Sequence, residues 1–287
     1  MKTKTILFII AAILLVAGGI CCLVAMNIVN FDFTKLDTRN QYVEKTYTVN
    51  ASKIDSLYLE TSNKDVTVKQ TTGNEIKVVY HESKKDTFTI SDSGRELEII
   101  NDSSIRIIPQ FFIFLYDDDI TIYIPSNVKL DVKIKTSNSE ISVSDLNFND
   151  LELITSNASI DIENIGASTT FADSSNGDID IVGSTVKDLV IDTSNSDIDM
   201  VDINADNITA KTSNGKIDAN KVDVAVNIDL KSSNGSISGE IVGNMYDFSI
   251  KSATSNARNS LPESTTGGTK TLKAYTSNAA INIIFTR

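Results

Sequence analysis

The sequence predicts an all-β fold, a β-solenoid or β-helix-like stack of short coils, preceded by one N-terminal transmembrane helix. Three observations predict it: a tripeptide repeat of near-constant period, apolar alternation on both sides of each repeat, and a charge-free apolar run near the N-terminus. The tripeptide is Thr or Ser, then Ser, then Asn, ending at Asn63, Asn138, Asn157, Asn176, Asn195, Asn214, Asn234, Asn256 and Asn278. After the first gap the intervals are 19, 19, 19, 19, 20, 22 and 22. A fixed short period means stacked structural units.

Six and four residues before each Asn stand mostly apolar residues, such as Val132 and Ile134 or Leu189 and Ile191. Three and five residues after it stand Ile160 and Ile162, Ile179 and Ile181, or Ile198 and Met200. Period-two alternation rich in Ile and Val, broken by Ser-Asn-Gly or Ser-Asn-Ser, reads as strand, tight turn, strand. A unit of this length leaves no room for a crossover helix of a dozen residues. Stacked coils bury their inward residues on one another. Asn138, Asn157, Asn176, Asn195, Asn214, Asn234, Asn256 and Asn278 then form a structural turn ladder, whose side chains hydrogen-bond to one another or cap turn amides. Gly177, Gly215 and Gly235 follow their Asn directly, which suits a turn with positive φ.

The elements follow in order. Residues 1–5 form a cytoplasmic N-terminus carrying Lys2 and Lys4. Thr5 to Phe31 lacks any charged residue, and Ile6 to Met26 supplies 21 mostly apolar positions, enough for a helix to cross a hydrocarbon core of about 30 Å. We place a signal-anchor helix over 6–28, with the basic flank in the cytoplasm and the long C-terminal part extracellular. A cleaved signal peptide is the competing reading, weakened by the lack of a small-x-small cleavage site. Cys21 and Cys22 are the only cysteines and sit inside this span, so no disulfide staples the exported part. Residues 29–44 read as a stalk.

Residues 45–135 read as degenerate N-terminal β coils, because the gap between Asn63 and Asn138 is close to four repeat periods long. Residues 136–287 read as the regular solenoid, with a loop from Ala257 to Lys270 before a last coil at Leu272 to Phe285. The segment Ile105 to Tyr116 stands apart, with Phe111, Phe112, Phe114 and Tyr116 in an apolar run too short and interrupted to span a bilayer. It suits either a buried cap or partner docking.

Without the two N-terminal lysines the chain carries 24 basic against 38 acidic residues, which argues against nucleic acid as a partner. Catalytic machinery is thin: the single histidine, His81, has no cysteine outside the apolar span to pair with, and no zinc cluster or phosphate loop is present. No cofactor is expected. The remaining constellation is acidic. Asp161, Asp180, Asp199 and Asp218 stand four residues after their Asn, and Asp178 and Asp197 two after, so stacking makes a carboxylate column that a calcium ion could bridge. The plainer reading is a solvated strand face, partly neutralised by lysines such as Lys211, Lys216 and Lys231. Recurrence in four coils argues against a catalytic pair of the glycosidase kind.

Ile120-Thr-Ile-Tyr-Ile-Pro125, then Leu130 to Val143, then serial Thr-Ser-Asn-x-x-Ile-x-Ile units resemble the bacterial "putative adhesin" β-strand-repeat family, a domain of unknown function. The resemblance covers about Lys45 to Arg287. It implies a membrane-anchored envelope protein of stacked β-repeats, with some members near envelope stress-response systems. The sequence therefore points to a non-enzymatic cell-surface scaffold or adhesin that binds another envelope protein or a glycan. The alternatives are an accessory of envelope-stress signalling and, behind it, a glycan-cleaving β-helix enzyme.

Overall fold

The computed structural model describes residues 14–24, 26–27, 42–84, 86–103 and 119–286. Residues 14–24 and 26–27 are helical, and among the described residues no helix is long and apolar enough to cross a membrane. The remainder is all β, twenty strands in one continuous hydrogen-bonded system.

The N-terminal strands are β1 (Val43–Asn50), β2 (Ser56–Glu60), β3 (Val66–Thr71), β4 (Glu75–Glu82), β5 (Asp86–Ser91), β6 (Glu96–Ser103) and β7 (Ile120–Pro125). The repeats supply β8 (Asp131–Lys135), β9 (Ile141–Ser144), β10 (Asp150–Thr155), β11 (Ile160–Glu163), β12 (Gly166–Ser174), β13 (Ile179–Val182) and β14 (Thr185–Thr193). Two long strands follow, β15 (Ile198–Lys211) and β16 (Ile217–Lys231), then β17 (Ile237–Val242), β18 (Phe248–Thr254), β19 (Lys270–Thr276) and β20 (Ile281–Thr286).

Each rung contributes one segment before its Asn and one after it, and like segments pair in parallel. The segments before Asn run β6, β2, β8, β10, β12, β14, β15, β16, β19, β18. Those after it run β7, β3, β9, β11, β13, β15, β16, β17, β20. Because the repeat is in register, every inward position meets its own copy: Ile141, Ile160, Ile179, Ile198, Ile217, Ile237 and Ile281 form one column, each 0 % exposed. The core is therefore a filled tube of Ile, Leu, Val and Ala.

The stack departs from chain order at both ends. Among the described residues no coil lies between the Asn63 and Asn138 rungs: β2 lies directly against β8, and β3 against β9. The apolar alternations at Ile76 to Tyr80, Phe88 to Ile90 and Leu97 to Ile99 lie on β4, β5 and β6. However, β4 pairs antiparallel with β1 and β7, and β5 antiparallel with β6. The long gap between Asn63 and Asn138 thus supplies one further parallel rung, β6 and β7, and an antiparallel cap of β4 and β5, because alternation marks a strand without stating its direction. At the other end β19 and β20 insert between the Asn234 and Asn256 rungs, leaving β18 outermost. The loop between β18 and β19 returns across β18 and β20: Thr265 N donates to Ile250 O, Ser252 N to Glu263 O and Ser260 N to Ile281 O. Those bonds cover edges that would otherwise recruit another strand.

Five successive rungs, from Asn138 to Asn214, also turn a corner seven residues after their Asn, where Asp145, Asn164, Gly183, Asp202 and Lys221 adopt φ of 53 to 62°. Left-handed backbone is thus concentrated here, and none of the ladder asparagines or Gly177, Gly215 and Gly235 shares it. Those three glycines serve close approach instead. A Cβ on Gly177 would lie 1.8 Å from Ala158 O, and one on Gly235 1.7 Å from Gly215 O.

Candidate functional site

The nine Ser-Asn turns stack along one edge, and their asparagines form an unbroken ladder. Nδ2 of Asn138 donates to Oδ1 of Asn63 at 2.8 Å, and the same bond recurs from Asn157, Asn176, Asn195, Asn214 and Asn234 to the preceding asparagine at 2.7 to 2.9 Å. The ladder then passes to Asn278 at 2.7 Å and from there to Asn256 at 2.8 Å, following space rather than sequence. An amide has both a donor and an acceptor end, so one residue type extends such a chain indefinitely.

The residue two before each Asn points inward. Thr155, Ser174, Thr193, Thr212, Ser232 and Thr276 are buried, and each hydroxyl donates to a carbonyl of the neighbouring turn at 2.9 to 3.4 Å. In the three glycine turns the same hydroxyl accepts the Gly177, Gly215 or Gly235 N–H at 2.9 to 3.1 Å. The Ser-Asn repeat thus spends its polar atoms on the stack. Replacing Asn195 with Leu removes two ladder bonds at an exposed position, where water substitutes in part, so a loss of about 1–2 kcal/mol is expected. A thermal melt of N195L that matches wild type contradicts the tethering role.

The acidic column sits on the sheet that follows the asparagines. Asp161, Asp180, Asp199 and Asp218 are in direct parallel register. Asp178 and Asp197 have another occupation: Oδ1 of Asp178 accepts the Asp197 N–H at 3.0 Å, and Oδ1 of Asp197 accepts the Lys216 N–H at 2.8 Å. Lys216 Nζ lies 3.3 Å from Asp197 Oδ2, and that hydrogen bond, with Asp199 beside it, pushes the lysine pKa up. Among the described residues no group of three His, Cys, Asp or Glu side chains is placed to hold a metal ion. Phe111, Phe112, Phe114 and Tyr116 lie outside the described residues.

Partial burial, and then the neighbouring aspartates, push Asp180 and Asp199 above the usual carboxylate range. On the other sheet burial does the same to Asp173 and Asp192. An acid with a raised folded-state pKa holds its proton more tightly folded than unfolded. Its contribution therefore improves as pH falls from neutral toward the unfolded value near 3.9, and is lost as pH rises through the folded pKa. Asp180→Asn with Asp199→Asn should raise Tm at pH 7 and shrink the gain on moving to pH 5. Equal pH dependence in variant and wild type contradicts this.

The sequence reading missed a buried cluster at the first rung. Lys64 follows Asn63, where later rungs carry Ser139, Ala158, Gly177, Ser196, Gly215, Gly235 and Ala279. Its side chain enters the cap and meets Asp86 at 2.8 Å, with both residues buried. The departure from a small residue was the available signal.

In register, ladder and corner the architecture is that of a rack of parallel rungs. The chain belongs to the Toastrack DUF4097 family. The family profile matches residues 54–283. Among solved structures, a Bacteroides fragilis protein described as a "putative adhesin" is 13% identical with a TM-score of 0.50, over 85% of this chain and 97% of that one. A Parabacteroides distasonis "putative adhesin" is 14% identical with a TM-score of 0.47, over 85% and 97%. A "putative lipid binding protein" from the same species is 16% identical with a TM-score of 0.40, over 84% and 96%. No curated protein matches the sequence. The Bacteroides likeness shows the all-β fold.

Proposed function

We propose that this Toastrack chain is a non-enzymatic scaffold anchored in the cell membrane by the 6–28 segment, with its β domain outside the cell. There it binds another envelope component, protein or glycan, through its outward side chains. The observation that carries the reading is the filled interior: inward positions of the rungs are mostly apolar, and those beside the turns are Ser and Thr hydroxyls bonded to the next turn. What varies from rung to rung is the outward surface, so recognition belongs there. The uncharged run from Thr5 to Phe31, with Lys2 and Lys4 before it, supports the anchor and its orientation.

Limited proteolysis of intact cells tests this. Cleavage in the 29–44 stalk should release the folded β domain into the medium while the anchor stays with the membrane. A domain that resists protease until the cells are lysed contradicts the outward placement.

A further inference from the structure

The cluster at the first rung joins three functional groups. Lys64 Nζ lies 2.8 Å from Asp86 Oδ2, and Asn101 Nδ2 donates to Asp86 Oδ1 at 2.7 Å. One carboxylate therefore holds a primary amine on one oxygen and a carboxamide on the other. Lys64 is 2 % exposed and Asp86 3 %. The Tyr42 hydroxyl donates to Asp86 Oδ2 at 3.0 Å, and the rings of Tyr42 and Phe88 lie 5.1 and 5.8 Å from Lys64 Nζ. Thr61 Oγ1 donates to Asn101 Oδ1 at 3.4 Å. The strands hold the geometry: Asp86 opens β5, and Asn101 on β6 stands opposite Phe88.

We propose that Lys64 and Asn101 join in an intramolecular isopeptide bond, with Asp86 as the catalytic proton carrier. Within the 2.8 Å contact the Lys64 ammonium passes a proton to Asp86, which frees the lone pair of the amine for attack. The amine attacks Cγ of Asn101, forming the Nζ–Cγ bond. Thr61 Oγ1 donates to the oxygen on which negative charge develops. Asp86 delivers its proton to Nδ2 and accepts one from Nζ, so the Cγ–Nδ2 bond breaks; the released ammonia takes the proton left on Asp86 and departs as ammonium. The sum is lysine ammonium plus carboxamide giving secondary amide plus ammonium, with no oxidant or reductant. Asp86 acts as proton carrier, its carboxyl group held in place by contacts to Lys64, Asn101 and Tyr42. Asn101 is only part-buried, which gives ammonia a way out. The product ties the turn before β3 to β6 and locks the cap onto the rack.

Peptide mapping by mass spectrometry of the full chain, digested after denaturation, tests the bond. The wild type should yield one linked pair containing Lys64 and Asn101, lighter by one ammonia than the two separate peptides together. Lys64→Arg, which keeps the charge opposite Asp86, should fold and give unlinked peptides, and Asp86→Asn should also be unlinked. Wild-type protein giving both peptides separately at full mass overturns the proposal. So does a link from Lys64 to Asp86 with loss of water, or a link that survives in Asp86→Asn. The wild-type map decides even where a variant fails to fold.

Discussion

A chain ending at Thr269 should lose far more than the segment from Lys270 to Arg287. That segment carries β19 and β20, which sit between the Asn234 and Asn256 rungs. Its removal deletes the buried Leu272, Ala274, Ile281 and Ile283, uncovers Ile228, Leu230 and Ile237 on one side, and strips β18 of its ladder partner. At about 1.5–3 kcal/mol for each large apolar side chain returned to water, the loss is on the order of 5 kcal/mol or more. That is comparable to the whole stability of many domains. The expected result is a melt well below that of the full chain, with strong binding of a hydrophobic dye at room temperature. A truncated chain that melts like the full one would mean that β19 and β20 lie outside the rack.

Gly235→Val should be the most damaging single change along the Asn edge. Its Cβ would stand 1.7 Å from Gly215 O and 2.2 Å from the carbonyl carbon, both backbone atoms with no side-chain freedom to yield. Neighbouring rungs sit at a strand spacing of roughly 4.8 Å, and separating them enough to admit a side chain breaks the ladder bonds on both sides. The Gly235 N–H to Ser232 Oγ bond and the Asn234 ladder contacts go with it. A loss of about 3 kcal/mol is expected, at the upper end for overpacking. Ala279→Gly, the equivalent position of the neighbouring rung, should shift stability by less than about 1 kcal/mol. Equal melts for both variants would contradict close approach as the reason for glycine.

These two positions also show how much was legible in the sequence. Period and alternation were enough to name the inward residues, such as Ile160, Ile162, Leu189 and Ile191, and to bring Asp161, Asp180, Asp199 and Asp218 into one register. Mutual hydrogen bonding of the asparagines followed from their chemistry, since an amide has a donor and an acceptor to offer its own copy. Which rung neighbours which was not legible. The intervals on either side of Asn256 are equal whether the last rung is added or inserted. The gap between Asn63 and Asn138 happened to match four coils in length, while it supplies one outer parallel rung, β6 and β7, and two strands, β4 and β5, that pair antiparallel. Glycine after Asn was read for its φ, yet its use lies in a contact with the next rung that no local pattern encodes. The cluster of Lys64, Asp86 and Asn101 brings together residues far apart in the chain, and only the cap makes them neighbours.

The central claim is that one asparagine ladder orders the rack as Asn63, Asn138, Asn157, Asn176, Asn195, Asn214, Asn234, Asn278, Asn256. Disulfide trapping on the outer face tests that order most directly. With Cys21 and Cys22 changed to Ser, cysteines at Lys231 and Tyr275 face each other across β16 and β19, and cysteines at Tyr275 and Ala253 across β19 and β18. Both pairs fall within the reach of a disulfide, whereas Lys231 and Ala253 stand two rungs apart, beyond it. The account predicts ready oxidation of the first two pairs and none of the third. Rapid closure of a 231–253 disulfide with an open 231–275 pair would show that the rungs stack in chain order.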